Sequence, residues 1–225
     1  MLFRDRFDAG RQLACKLRHY AGRRDVLILG LPRGGVPVAA EVARALGAPL
    51  DVFLVRKLGV PGHKELAMGA IASGGIRVLN DQVVQALGIP ERVLDRVAAE
   101  EQVELARRER EYRDDRPFPA VEGRVVILVD DGLATGTTMR AAVQALRRLR
   151  PARVVVAVPV GAAETCAELH AEADETVCAE TPEPFAAVGW WYRNFEQTTD
   201  DEVRAALAAA ASPERNRELI VEHCD

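Results

Sequence analysis

The stretch VVILVDDGLATGTT, residues 125–138, is the most informative part of the chain. Five apolar residues at 125–129 predict a buried strand that ends at the adjacent carboxylates of Asp130 and Asp131. Small and hydroxyl-bearing residues follow, and the apolar spacing of residues 137–150 predicts a helix. A strand that ends in two acids, before a loop and a helix N-terminus, is a candidate site for a phosphorylated ligand.

The loop combines backbone N–H groups, threonine hydroxyls and a helix N-terminus, which together suit a phosphate monoester. It is not a Walker A loop, because no lysine follows Gly136, and it does not match GxGxxG. The two acids could accept hydrogen bonds from sugar hydroxyls and stabilise positive charge on a sugar ring, or could hold magnesium directly. The competing interpretation is a turn at Asp-Asp-Gly with Thr135 or Thr137 as a helix cap.

Composition favours a globular protein with one domain spanning 1–225. The 225 residues are 48% hydrophobic and carry a net charge of −4, which gives no bulk attraction to nucleic acid or to an anionic membrane. The charged N-terminus does not resemble a signal peptide, and no apolar run approaches about 18 residues, so we expect a cytoplasmic location and no membrane partner. The four cysteines (Cys15, Cys166, Cys178 and Cys224) form no CxxC, which argues against a zinc site or a disulfide framework.

Apolar patterns elsewhere predict strands that alternate with helices. The predicted strands are 25–31, 49–58, two short strands within 68–80, 125–129, 152–160 and 175–180; the predicted helices are 5–21, 36–47, 81–113 with a break near 88–90, 137–150, 162–173, 200–211 and 213–223. Residues 58–65 have turn-forming and polar residues without a period, and predict a loop. The alternation predicts an α/β fold, with a mostly parallel central sheet, helices on both faces, and ligands bound beyond the carboxyl ends of the strands.

Residues 125–138 resemble the signature of the type I phosphoribosyltransferases, in a form close to that of adenine phosphoribosyltransferases. These enzymes use 5-phosphoribosyl 1-diphosphate (PRPP). The resemblance implies that Asp130 and Asp131 are catalytic residues that meet the ribose 2- and 3-hydroxyls. It also implies that the loop binds the 5-phosphate of PRPP through Ala134, Thr135, Gly136, Thr137 and Thr138.

Two further elements of that family have counterparts here. LPRGG (31–35) resembles the loop whose backbone holds the diphosphate, often through a non-proline cis peptide, which implies roles for Arg33, Gly34 and Gly35. VRKLGVPGHKELAMGAI (55–71) resembles a basic strand end followed by a mobile loop. In that comparison Arg56, Lys57 and Lys64 meet diphosphate oxygens, Lys57 is also catalytic, and His63 and Glu65 arrive with the loop. The alternatives are a plain turn at 31–35, a solvated strand end at 56–57 and, for His63, an ordinary exposed residue.

The acceptor base is less well defined. Hypoxanthine-guanine enzymes have an acid three residues beyond the acidic pair, where this chain has Ala134, so Glu65 is the candidate replacement, as in adenine enzymes. Candidates for stacking on a base are Phe185, Trp190 and Tyr192, although packing of the tail or a dimer contact would equally explain these aromatics. RFDAG (6–10) and the helices of 81–113 resemble a bacterial subgroup of phosphoribosyltransferases.

The resemblance covers about residues 25–180, and leaves a helical insertion at 81–116 and a hood from the chain ends, including 182–225. It implies a homodimeric, Mg²⁺-dependent transferase in which Mg²⁺ is bound through PRPP near Asp130 and Asp131, and in which a purine is favoured over a pyrimidine as acceptor. The alternatives are a plain nucleotide-binding module and a PRPP-sensing regulator that binds nucleic acid through a basic stripe. One candidate stripe is formed by Arg107, Arg108, Arg110, Arg113 and Arg116, and another by Arg147, Arg148, Arg150 and Arg153. The net charge of −4 argues against a nucleic-acid partner.

Overall fold

The structure, a computed structural model, describes residues 2–114 and 116–211. The strands in this part of the chain are β1 (Val26–Gly30), β2 (Leu50–Val52), β3 (Val55–Val60), β4 (His63–Ala72), β5 (Ile76–Leu79), β6 (Val125–Val129), β7 (Arg153–Val160) and β8 (Glu175–Glu180). The helices are α1 (Arg6–Lys16), α2 (Gly35–Leu46), α3 (Asp81–Ala86), α4 (Glu91–Arg113), α5 (Thr137–Arg147), α6 (Ala163–Glu172) and α7 (Asp200–Ala211). The predicted helix at 213–223 lies outside the described residues.

The central sheet has five parallel strands in the order β2-β1-β6-β7-β8, which confirms the predicted α/β fold. Strands β1 and β6 are buried along their whole length, as expected when helices cover both faces of a parallel sheet. In their register Gly30 lies opposite Val129, and the Leu31 N–H donates to the Val129 carbonyl at 2.8 Å. The segments that follow β1 and β6 therefore leave the sheet side by side.

Alternating side chains of the central strands build two hydrophobic layers. On one face Ile28 and Ile127 pack with α1 and α2, and on the other Leu29 and Leu128 pack with α5 and α6. Helix α2 ends at Gly47, whose φ of 64° is the left-handed conformation that a helix C-terminus commonly requires. The predicted stop of this helix is thereby confirmed.

Two predictions for residues 49–65 were wrong. The single strand predicted at 49–58 is divided into β2, which pairs with β1, and β3, which leaves the central sheet. The loop predicted at 58–65 is instead the turn of an antiparallel hairpin, in which β3 and β4 reverse direction at Pro61-Gly62 with a φ of 83° at Gly62. An antiparallel ribbon with one buried face needs no continuous apolar run, so its sequence pattern is weak.

Strand β5 completes the hairpin into a three-stranded antiparallel sheet. Helix α4 packs against this smaller sheet, and α7 packs against α4 and α2; all of them share a hydrophobic cluster that includes Leu58, Met68, Leu105 and Leu207. The predicted break between α3 and α4 is confirmed, because Asn80 caps α3 and Pro90 precedes the first residue of α4.

A disulfide joins Cys166 of α6 to Cys178 of β8, with an S–S distance of 2.13 Å. This corrects the prediction that the cysteine pattern argues against disulfides. The two residues are 12 positions apart, and the chain reverses between them so that α6 lies against β8. Such a pairing depends on how a helix returns to its strand, which cysteine spacing alone does not reveal.

Among the residues that the structure describes, no helix is both long enough and apolar enough to cross a lipid bilayer.

Candidate active site

The acidic pair lies at the carboxyl end of β6, where the sheet opens toward the loops. The backbone N–H of Asp131 donates to Oδ1 of Asp130 at 2.8 Å, so the first carboxylate is aligned by the peptide of the second. Burial raises the pKa of Asp130 well above its ordinary value, and the neighbouring charge of Asp131 raises it further. Burial also raises the pKa of Asp131, but the cation of Arg6 opposes that rise. A proton shared by this pair therefore favours Asp130.

The loop after β1 packs directly against these acids. A β-carbon on Gly34 would overlap the Asp131 carboxylate, and one on Gly35 would lie 2.6 Å from the Val129 carbonyl oxygen and 2.8 Å from Asp130 Cα. Glycine at both positions thus permits an approach that any side chain would block. The peptide bond between Pro32 and Arg33 is cis, as the resemblance led us to expect.

The threonine-rich loop begins at Ala134, three residues beyond the acidic pair, and leads into α5. Its Gly136 is buried, has a φ of 69° and lies against Thr165 of α6. The Thr165 hydroxyl donates to the Ala134 carbonyl at 2.7 Å and thereby anchors the loop to α6. The exposed hydroxyls of Thr135 and Thr137 lie 3.2 Å apart, next to the N–H groups of the first turn of α5, which no helix can satisfy internally.

The two basic residues of β3 point to opposite faces of their strand. Arg56 forms an ion pair with Glu101 of α4, with Nε 2.7 Å from Oε2, and so faces the helical insertion. Lys57 is exposed and lines a cleft of about 390 Å³ between the smaller sheet and α5, which it shares with Thr137 and Arg140. Since neighbouring strand residues alternate in direction, only Lys57 faces the threonine loop.

The remaining candidates for the diphosphate and the mobile loop lie at the edges of the site. Arg33 is partly exposed, and its Nη1 lies 3.9 Å from Oδ2 of Asp200 on α7. His63 and Glu65 are exposed at the start of β4, beside the hairpin turn. The side chain of Lys64 is outside the described part of the structure.

The aromatic candidates of the hood have different environments. Trp190 is 72% exposed, and the half-buried Phe185 is stacked on Trp191 with ring centroids 6.4 Å apart. Tyr192 is buried, packs against Phe3, and donates its hydroxyl to the Asp131 carbonyl at 2.5 Å. Burial raises the pKa of Tyr192, so this hydroxyl remains a donor. The Tyr192 hydroxyl therefore supports the acidic pair, whereas Phe185 is half-buried and Trp190 is exposed.

The family model described as "Phosphoribosyl transferase domain" matches residues 3–193. This chain belongs to the phosphoribosyl transferase family. The match begins before β1 and ends in the hood, so helix α1 and the aromatic candidates Phe185, Trp190 and Tyr192 all lie within the family domain.

Similar proteins agree with this membership. Two proteins of Mycobacterium tuberculosis strains, each named "Putative phosphoribosyl transferase", are 52% identical over 209 residues; the match covers 93% of this chain but 47% of each relative, so the chain spans about half their length. A "Bifunctional protein PyrR" of a Roseiflexus species is 34% identical over 141 residues, which cover 61% of this chain and 57% of that protein. The crystal structure of TT1426 from Thermus thermophilus is 47% identical with a TM-score of 0.84, and the match covers 94% of this chain and 100% of that one.

Three contacts at the site of this phosphoribosyl transferase domain were not predicted from the sequence. Arg6 of α1 donates from Nε to Asp131 Oδ2 at 2.8 Å, Thr165 anchors the threonine loop, and Val188 of the hood covers Gly132 directly after the acidic pair. Arg6 belongs to the RFDAG motif, and the resemblance of that motif to a bacterial subgroup was the one sequence feature that pointed to this residue. Nothing near Thr165 or Val188 in the sequence indicates that they reach the site.

The residues present fit a magnesium ion that is held mainly by the substrate. Within residues 2–114 and 116–211, no cluster of three or more histidine, cysteine, aspartate or glutamate residues could hold a metal ion. A partly buried pair of carboxylates next to the Gly34-Gly35 loop nevertheless suits Mg²⁺, which commonly combines one or two carboxylates with phosphate oxygens and water. Asp130 and Asp131 are the residues that would lie beside it.

Proposed function

We propose that this protein transfers the 5-phosphoribosyl group of PRPP to a nitrogenous base and releases diphosphate. The observation that carries the proposal is the direct contact between the acidic pair and the Gly34-Gly35 loop, with the threonine loop immediately following. Carboxylates, a glycine loop and a helix N-terminus therefore face one space. That combination suits a sugar with a phosphate at one end and a diphosphate at the other.

In this proposal each loop holds one part of PRPP. Residues 134–138 and the first turn of α5 bind the 5-phosphate, while the backbone of Gly34 and Gly35 binds the diphosphate, together with Arg33, Lys57 and Lys64. Asp130 and Asp131 accept hydrogen bonds from the ribose hydroxyls and stabilise the positive charge that develops on the ring. Arg56 is less suited to the diphosphate, since it is ion-paired with Glu101.

The proposed reaction breaks the bond between the anomeric carbon and a diphosphate oxygen and forms a bond from that carbon to a base nitrogen. The electron pair of the broken bond leaves with the diphosphate. The acceptor nitrogen loses its proton to a general base on the protein, for which Glu65 is the candidate. Bound Mg²⁺ would neutralise charge on the departing diphosphate. The chain's own contribution is to position both partners and to exclude water from the cationic sugar.

We propose a purine as the acceptor in preference to a pyrimidine. Phe185 and Val188 pack against the same hydrophobic cluster, Trp190 is 72% exposed, and Val188 covers Gly132 beside the acidic pair. Flat aromatic rings pack well on such surfaces. A homodimer and a cytoplasmic location remain predictions.

The arginine stripe of α4 does not favour a nucleic-acid-binding regulator. Arg107 is ion-paired with Glu104 and Glu111, and Arg108 is ion-paired with Glu104. Arg113 is almost completely buried. Because these charges are neutralised within the helix or hidden beneath it, few remain for phosphates of a nucleic acid.

The test is calorimetric titration of PRPP with Mg²⁺ into the wild-type protein and Asp131→Ala, followed by a diphosphate-release assay with a panel of bases. We expect binding to the wild type, loss of binding in Asp131→Ala, and release with a purine. Asp95→Ala changes an exposed aspartate of α4 and serves as the control. Absence of wild-type binding, or normal turnover by Asp131→Ala, would contradict the proposal.

A further inference from the structure

Arg6 occupies a position that is unfavourable for its own helix. It is the first residue of α1, where the positive end of the helix dipole disfavours a cation. The rest of that turn follows the usual pattern, because Asp5 caps the helix by accepting from the Asp8 N–H, and Asp8 supplies an acid in the first turn. A basic residue at this point must therefore be stabilised by contacts outside α1.

Three such contacts together fix the guanidinium group. Nε donates to Asp131 Oδ2 at 2.8 Å, and Nη1 donates to the Glu196 carbonyl at 2.7 Å. The ring of Phe195 lies under the guanidinium with its centroid 4.0 Å from Cζ, which is close enough for a cation–π interaction. The side chain is only 11% exposed, so these contacts are largely shielded from water.

Two hydrogen bonds hold Asp131 from two sides. Arg6 binds its Oδ2, and the Tyr192 hydroxyl binds its backbone carbonyl at 2.5 Å. Within the described part of the chain, no donor from another residue forms a hydrogen bond with Oδ1 of Asp131, so that oxygen can accept from a ligand. Asp130 differs, because its Oδ1 accepts from the Asp131 N–H and, among the same residues, no cation forms an ion pair with it.

We propose that Arg6 is a positioning residue for sugar recognition: it holds the Asp131 carboxylate in the orientation that presents Oδ1 to a ribose hydroxyl of the ligand. This inference rests on the proposed function, since it assigns PRPP to the site. The N-terminal helix and the Phe195 segment thereby become parts of the ribose-binding site. In this proposal Arg6 contacts Asp131 and not the ligand. Replacing Arg6 should therefore weaken the binding of the ribose but not the binding of the diphosphate.

The experiment compares two ligands in four proteins. PRPP with Mg²⁺ contains the ribose, whereas inorganic diphosphate with Mg²⁺ does not. Each is titrated calorimetrically into the wild type, Arg6→Gln, Arg6→Lys and Arg4→Gln. Arg4 is the matched control, since it precedes the same helix, is 68% exposed and pairs with Asp8 through its guanidinium.

For Arg6→Gln we expect PRPP to bind about 10-fold to 100-fold more weakly, as befits loss of a charge-assisted hydrogen bond at a shielded site, with diphosphate binding unchanged. Arg6→Lys should recover part of the PRPP affinity because its ammonium group can still pair with Asp131. Arg4→Gln should match the wild type. Equal weakening of PRPP and diphosphate, or wild-type affinity in Arg6→Gln, would overturn the inference.

Thermal unfolding establishes whether each variant is folded. If Arg6→Gln does not fold, Phe195→Leu tests the positioning role instead. This variant keeps the guanidinium of Arg6 but removes the aromatic ring beneath it. Its PRPP affinity should fall about threefold to tenfold without a change for diphosphate. Unchanged PRPP affinity in Phe195→Leu and Arg6→Lys together would overturn the positioning role.

The two proposals fail in different ways. Failure of the wild type to bind PRPP would overturn the proposed function and this inference with it. PRPP binding that is lost in Asp131→Ala but unchanged in the Arg6 variants would overturn only this inference.

Discussion

Gly34 and Asp131 lie so close that a β-carbon on the glycine would overlap the aspartate carboxylate. One residue belongs to the loop after β1 and the other to the segment after β6, and the two strands are neighbours in register. The proposed diphosphate loop and the proposed ribose-binding acid therefore touch without a ligand between them. This contact allows one substrate to span both loops.

Gly34→Ala tests that contact. The added methyl group should push the Asp131 carboxylate away from Arg6, and we expect PRPP to bind at least about tenfold more weakly by calorimetry. Gly22→Ala is the control, because Gly22 has a φ of 72° but nothing lies within 4 Å of the added atom. That control should lose about 1 kcal/mol of stability and no PRPP affinity. Wild-type affinity in Gly34→Ala would show that the close approach is not needed.

Asp130→Asn tests the raised pKa of the buried acid. Burial and the charge of Asp131 raise the pKa of Asp130 in the folded state, so the native protein binds this proton more tightly than the unfolded chain does. The wild type therefore loses stability as the pH rises from the unfolded value of about 4 through the higher folded value. The amide of the variant cannot ionise, so the variant escapes this loss.

We accordingly expect the Tm of Asp130→Asn to exceed that of the wild type at about pH 7 and to equal it near about pH 4. Thermal unfolding across that pH range makes the measurement, and calorimetry should show weaker PRPP binding in the variant. A Tm difference that stays constant with pH would contradict the raised pKa. Asp25→Asn is the control, since Asp25 is fully exposed and its pKa is lowered by hydrogen bonds from Arg23.

Lys57→Ala and Arg56→Ala should have different effects although the residues are neighbours. Lys57 lines the cleft beside Thr137, so its removal should lower kcat/KM for PRPP by about 100-fold with little change in Tm. Arg56 is ion-paired with Glu101, so its removal should cost about 1 kcal/mol of stability with a smaller effect on turnover. Diphosphate release and urea unfolding measure the two quantities. A larger loss of kcat/KM in Arg56→Ala than in Lys57→Ala would show that Arg56 reaches the substrate.

Two threonines provide a matched pair of substitutions. Thr165→Val removes the hydrogen bond from Thr165 to the Ala134 carbonyl, and should cost about 1 kcal/mol of stability and weaken PRPP binding. Thr176→Val should be neutral or stabilising, because the buried Thr176 hydroxyl has no hydrogen-bond partner among the described residues. Urea unfolding gives both free energies. Equal effects of the two changes would argue against the anchoring role of Thr165.

Arg113 connects α4 to the edge strand β2 of the central sheet. Its side chain is 3% exposed; Nε lies 2.7 Å from Asp51 Oδ1, and Nη2 donates to the Val52 carbonyl at 2.5 Å. Arg113→Ala would leave Asp51 poorly paired, and should cost about 3 kcal/mol in urea unfolding. Arg110→Ala, on the exposed side of the same helix, should change stability by less than about 0.5 kcal/mol. A cost below about 1 kcal/mol for Arg113→Ala would contradict its structural role.

Much of the fold could be predicted because its signals are local. The five apolar residues of β6, the glycine that ends α2 and the break before Pro90 each lie within a few positions of the structure they specify. The β3–β4 hairpin was missed because its strands are weakly periodic and β3 is only partly buried. The clearest sequence pattern belongs to the exposed turn between these strands, and that pattern by itself predicts a loop.

The sequence by itself determined the alternation of strands and helices outside residues 49–65, the acidic pair, and the two loops that follow β1 and β6. These features are specified by the spacing of apolar residues within each element and by short sequence motifs. Only the tertiary structure decided that Arg6 meets Asp131, that Lys57 faces the cleft while Arg56 faces Glu101, and that Cys166 joins Cys178. Arg6 and Asp131 are 125 positions apart, and their contact arises from the packing of α1 and the register of the sheet. Such contacts depend on the complete arrangement of the elements, since no local pattern records which distant side chain will face another across a folded core.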